Sequence, residues 1–94
     1  MKRLFKSVDE KLKGLGFVKV ENDTKWGVSY ERKIAEFGYI QRLDISHKAS
    51  GKHLIQSYEK GVNKDGFNNV VGLTYYETKL AMKKYKQLKR KFKW

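Results

Sequence analysis

At 94 residues the chain has the size of one modest domain built on one hydrophobic core. It contains no cysteine, which excludes a disulfide framework, a thiolate nucleophile and any Cys-ligated zinc site, and fits a reducing cytoplasm. Lys and Arg number 22 against 10 Asp and Glu, leaving +12, so electrostatics favours polyanionic partners.

Leu4, Phe5, Val8, Leu12 and Leu15 recur at helical spacing between polar residues and predict an amphipathic first helix, closed by Gly14 and Gly16. A short strand over 17–21 follows. Asn22-Asp23-Thr24-Lys25 is a turn cluster, and from there the period changes to two. Strands are predicted over 26–34 and 39–47, with Trp26, Val28, Tyr30, Arg32 and Ile34 on one face of the first. Tyr39, Gln41, Leu43, Ile45 and His47 share one face of the second.

Pairing residues whose numbers sum to 73 sets Tyr30 opposite Leu43 and Val28 opposite Ile45, with Glu31 opposite Arg42 on the other face. This register implies a tight turn at Glu36-Phe37, or else a bulge or longer loop there. Another turn over 48–52 leads to a strand over 53–59, in which either Ile55 or Leu54 faces inward. The stretch 61–72 reads as an ordered loop packed over one end of the core. The last segment, 75–92, is a long helix. Thr74 is its N-cap, Glu77 completes a capping box, and Thr78, Ala81, Met82, Tyr85, Leu88 and Phe92 form its apolar face. The whole is an α+β domain over 1–94, with both helices on one face of a four-stranded antiparallel sheet.

Charge is distributed unevenly over this plan. Residues 78–94 hold Lys79, Lys83, Lys84, Lys86, Lys89, Arg90, Lys91 and Lys93 and no acid, and so carry +8 of the +12. On a helical wheel Lys79, Lys83, Lys86, Arg90 and Lys93 form one stripe opposite the apolar face. Like charges four apart cost about 0.2–0.5 kcal/mol per pair, which a row of phosphates would offset through neutralisation and counterion release. The bland alternative is a solvated helix end, where cations suit the macrodipole. Lys2, Arg3 and Lys6 extend the candidate surface. On the outer sheet face the charges of Glu31, Lys33, Arg42 and Asp44 cancel. Trp94 is either a stacking group or a frayed end.

Catalytic chemistry finds little footing. Glu31-Arg32-Lys33 with Asp23 is similar to the E-x-K pattern of metal-dependent nucleases, but a cross-strand pair with Arg42 already accounts for Glu31. His47 and His53 flank one turn and make only an incomplete metal site. No triad or phosphate-loop spacing is present. A non-enzymatic protein is expected, with no cofactor and no metal. No run nears the ~18 apolar residues of a membrane span, and charges interrupt any signal-like region after Phe5, so a soluble cytoplasmic protein without a membrane partner is expected.

Two resemblances bear on function. The order of helix, strands and helix resembles a double-stranded-RNA-binding domain with one strand added. However, Thr74, Tyr75, Tyr76 and Glu77 stand where that family has lysines, and its first strand-loop motif is missing from 21–25. Val71-Gly72-Leu73-Thr74-Tyr75-Tyr76-Glu77-Thr78-Lys79-Leu80, with His53-Leu54-Ile55-Gln56-Ser57-Tyr58, looks like small proteins encoded by phages and prophages of Gram-positive bacteria. That resemblance covers about the C-terminal half. It implies a host-cytoplasmic setting and modulation of nucleic-acid transactions or of host machinery. The expectation is therefore a DNA- or RNA-binding protein that meets phosphates through Lys79, Lys83, Lys86, Arg90 and Lys93. Its rival is an interaction module docking the same stripe on an acidic host protein.

Overall fold

A computed structural model describes residues 6–61 and 69–94. Ser7 accepts a hydrogen bond from the Glu10 amide while the Glu10 side chain accepts one from the Ser7 amide, and this reciprocal cap starts helix α1, Val8–Gly14. Leu4 and Phe5, assigned above to the same helix, lie outside the described residues, as do Lys2 and Arg3. Four strands follow, β1 Val18–Thr24, β2 Gly27–Ile34, β3 Tyr39–His47 and β4 His53–Glu59, and then helix α2, Tyr75–Phe92. The strands pair in chain order as an antiparallel meander. The α+β plan and the placement of β3, β4 and α2 agree with the sequence reading.

The β2–β3 register is the expected one, with Val28 opposite Ile45, Tyr30 opposite Leu43 and Glu31 opposite Arg42. The connection is a four-residue loop, 35–38, rather than a tight turn at Glu36-Phe37. Gly38 at φ +70° supplies the left-handed residue such a loop needs, with its amide bonded to the Ile34 carbonyl at 2.9 Å. Between β3 and β4, Ile45 faces Ile55 and Leu43 faces Ser57, which turns Ile55, not Leu54, inward.

Strand β1 differs most from expectation. Asn22, Asp23 and Thr24 are not a turn but continue the strand, through two register irregularities. The chain reverses at Lys25-Trp26, so Trp26 is a half-exposed turn residue instead of an inward strand residue. Gly27 closes this reversal at φ +124°, and a Cβ there would lie 2.0 Å from the Ile45 carbonyl oxygen, so only glycine fits. Local turn preference gave way because Asp23 finds cationic partners once the strand extends to it.

Val8 and Leu12 of α1, Val28, Tyr30, Leu43 and Ile45 of the sheet, and Leu80, Ala81 and Leu88 of α2 form one buried cluster with Phe17. Both helices thus cover the same sheet face. The buried face of α2 is rotated from the expected one: Glu77, Leu80, Ala81, Lys84 and Leu88 point in, Tyr85 and Phe92 are half-buried, and Thr78 and Met82 are exposed. Two polar residues can occupy an inward face because each meets its counter-charge there. Beyond β4, residues 69–71 run along the open edge, bonding Glu59 and Ser57 through the main chain. The rest of the loop expected over 61–72, residues 62–68, lies outside the described residues. Among the described residues no helix is long and apolar enough to cross a membrane.

Candidate functional site

The location of the excess charge follows from what the carboxylates do. Asp9 on α1 and Asp23 on β1 hold two lysines between them: Lys19 lies 2.7 Å from Asp9 and 2.9 Å from Asp23, and Lys84 lies 3.2 Å and 2.9 Å away. The Tyr30 hydroxyl donates to Asp9 at 2.5 Å. Burial alone would raise both carboxyl pKa values, but the hydrogen bonds and charges of Lys19 and Lys84, joined at Asp9 by the Tyr30 hydroxyl, outweigh it. Both Asp residues therefore sit below the ordinary value. Burial and the bond to Asp9 push the Tyr30 phenol well above its ordinary value.

A second set lies at the other end of the same sheet face. Arg32 donates to Glu77 at 2.8 Å, to the side-chain oxygen of fully buried Gln41 at 2.7 and 3.2 Å, and to the Leu15 carbonyl at 3.2 Å. Its guanidinium also lies 4.1 Å from the Phe17 ring centroid. Glu77 is depressed below the ordinary carboxylate value because its cap bond to the Thr74 amide and the Arg32 charge overcome burial.

On the outer sheet face Arg42 reaches Asp44 at 2.9 Å and Glu31 at 3.4 Å, and Lys60 reaches Glu31 at 2.9 Å. Ser29 and Tyr58 donate to Asp44 at 2.7 and 2.5 Å. Burial and this bond push the Tyr58 phenol up to about 12. The outer face is self-neutralised, as its composition implied. Glu31 faces this side while Asp23 faces the helices, so the two carboxylates of the E-x-K pattern share no site.

The five residues of the stripe stand apart from these networks. Lys79, Lys83, Lys86, Arg90 and Lys93 are all exposed, and among the described residues none of their side chains has a carboxylate or hydrogen-bond partner. Lys79 to Arg90 cover 11 helical steps, about 16 Å of helix axis at ~1.5 Å per residue, and Lys93 follows as the C-cap residue just past the end of α2. The capping box at Thr74 and Glu77 fixes where the row begins. At its far end Lys93 takes the left-handed conformation, φ 55° and ψ 46°, and turns the chain back on itself.

That turn docks Trp94 in place of the frayed end that was the alternative. Its indole N–H donates to the Lys25 carbonyl at 2.8 Å, and its ring lies over His47 and His53 at centroid distances of 5.3 and 5.4 Å. The two imidazoles face each other across β3 and β4 at 5.0 Å, with Trp26 stacked beyond His47 and the Tyr85 hydroxyl 2.8 Å from His53 Nδ1. The histidines form an aromatic buttress at the sheet end. Among the described residues no group of three or more metal-ligating side chains converges.

Trp94 also lines a shallow open recess with Lys86, Lys89 and Arg90. Sequence reasoning placed the stripe but not this recess, which depends on the left-handed turn at Lys93. Nor did it find that Lys84, adjacent to Lys83, belongs to the buried network. No protein-family model, curated protein or solved structure shows a significant match to the chain.

Proposed function

We propose that the protein binds nucleic acid without enzymatic chemistry, laying the exposed face of α2 along the phosphate backbone. Lys79, Lys83, Lys86, Arg90 and Lys93 supply the contacts. One observation carries the reading: these five cations, four on the outer face of α2 and Lys93 at its C-cap, are all exposed and have no intramolecular partner among the described residues, whereas Lys19, Arg32, Arg42, Lys60 and Lys84 each meet a carboxylate. An uncompensated row of this kind attracts a polyanion and releases its condensed counterions on contact. Contacts to phosphate position a protein without reading bases, so the expected binding is largely independent of sequence.

Titration of fluorescent duplex and single-stranded oligonucleotides over a range of salt tests this. With about five phosphates neutralised, log affinity should fall against log salt with a slope of roughly −4 to −5 on duplex and about −3.5 on single strands. Changing Lys83, Lys86 and Arg90 to Gln should leave a slope near −2 on duplex. No binding at low salt, or a slope unchanged in the triple variant, overturns the proposal. In that case an acidic protein surface becomes the partner to seek.

A further inference from the structure

We infer that the nucleic acid this face takes is single-stranded, and that Trp94 is the platform on which one of its bases stacks. The inference rests on the phosphate-binding reading above and adds the form of the ligand and a residue that recognises it.

Two observations converge on the C-terminal end of the stripe, and a third lies at its other end. The recess there has an indole together with the cationic side chains of Lys86, Lys89 and Arg90, two of which belong to the phosphate row. A planar apolar surface among cations fits a ligand that is planar and apolar on one part and anionic on the next, and a nucleotide has both. Duplex DNA keeps its base faces stacked inside the helix, so only an unpaired base can use the indole while its own phosphates meet the neighbouring cations.

The platform is also held in place. The bond to the Lys25 carbonyl, the imidazoles of His47 and His53 and the left-handed turn at Lys93 fix the ring before a ligand arrives, so little side-chain freedom is lost on binding. At the opposite end of the row Tyr75 is 93% exposed and Tyr76 51% exposed, so the path along the cations is bracketed by aromatic rings. This combination of a basic track and sequence-tolerant stacking groups suits a single strand.

The test compares a ten-nucleotide deoxythymidine strand with an abasic strand of the same length, which has the same phosphates but no bases, at fixed salt. One stacked base should make the intact strand bind about 5- to 150-fold tighter, the equivalent of ~1–3 kcal/mol for base–aromatic stacking. Trp94→Ala, with Tyr75 and Tyr76 left in place, should reduce that preference by at least about fivefold while leaving the salt slope unchanged. In a Trp26→Phe protein, whose remaining indole is Trp94, the intact strand should quench fluorescence and the abasic strand should not. Equal affinities for the two strands in the unmodified protein overturn this inference and leave phosphate binding standing. A preference undiminished in Trp94→Ala overturns the role of Trp94. Failure of both strands to bind at low salt removes the phosphate reading and this inference together.

Discussion

Lys83 and Lys84 are neighbours in sequence and opposites in circumstance. Lys84 is 5% exposed and held between Asp9 and Asp23, whereas Lys83 is exposed and has no partner among the described residues. The same division runs the length of α2, with Glu77, Lys84 and the leucines on the inner face and the cationic row on the outer. Counting lysines on this helix therefore overstates its electrostatic footprint. What a partner senses is the charge left unpaired after folding, and pairing follows the face each residue occupies.

The sharpest way to break this contrast is to remove the inner cation. Lys84→Met keeps length and apolar bulk but leaves Asp9 and Asp23 with Lys19 as their one cation among the described residues, beside the Tyr30 hydroxyl on Asp9. Breaking a buried pair costs about 3–5 kcal/mol, and because Asp9 is one-third exposed the lower figure of about 3 applies. For a domain of this size that lowers Tm by roughly 12–24 °C, measurable by thermal melts. Nucleic-acid affinity of the still-folded protein at low temperature should keep its salt slope. A change in that slope would show that the two faces are not independent.

Next in size is the Arg32–Glu77 pair, which ties β2 to the start of α2. Replacing Glu77 by Gln retains part of the cap but leaves Arg32 without its counter-ion, at a cost of about 2 kcal/mol, within the usual penalty for an unsatisfied buried polar group. Arg32→Met combined with Glu77→Gln should cost less than the sum of the single changes. Simple additivity in urea unfolding would mean that the two side chains stabilise the fold separately.

These two sites also show what could be read before the fold was known. The β2–β3 pairing was legible because one register put apolar residues on one face and Glu31 beside Arg42 on the other. The Thr74–Glu77 cap was legible because its partners are three residues apart. The inner face of α2 was not, because a hydrophobic pattern scores Met82 as core and Lys84 as surface. The partners that draw Lys84 inward are separated from it by 75 and 61 positions. The length of β1 was misjudged for a related reason, since local turn preference at Asn22-Asp23-Thr24 says nothing of the cations waiting for Asp23. The stripe itself was legible because exposure demands no partner, while Trp94 was ambiguous because only the sheet end and the turn at Lys93 hold it.

Acid separates the faces more gently. Asp9, Asp23, Asp44 and Glu77 are all depressed below their ordinary values, by bonds and charges that overcome burial. As pH falls through about 4, the unfolded chain takes up protons first. The stability these carboxylates contribute is therefore complete above about pH 6 and is lost progressively as pH drops through their folded-state values. Tyr30 and Lys19 are shifted upward, so their contribution is complete below about pH 10 and declines above it. Tm measured from pH 7 to pH 2.5 should fall, and should fall less in Lys84→Met, which has already lost a cation that depresses two of the four. An equal acid limb in both proteins would mean that Lys84 does not hold these carboxylates down.

The smallest expected effect tests the outer face. Changing Lys83, Lys86 and Arg90 to Gln exchanges residues of nearly equal helix propensity. It relieves like-charge pairs such as Lys79–Lys83 and Lys86–Arg90, each worth about 0.2–0.5 kcal/mol. Against this stands the lost interaction of Arg90, in the last turn, with the helix macrodipole, worth about 0.3–1 kcal/mol. The opposing terms leave stability within about 0.5 kcal/mol of the parent, or 2–4 °C in Tm. A near-zero result means that folding does not need these cations, which leaves their row available to a partner. A loss above about 1.5 kcal/mol would show instead that the outer face is part of what holds α2 in place, and its charge would need no ligand to explain it.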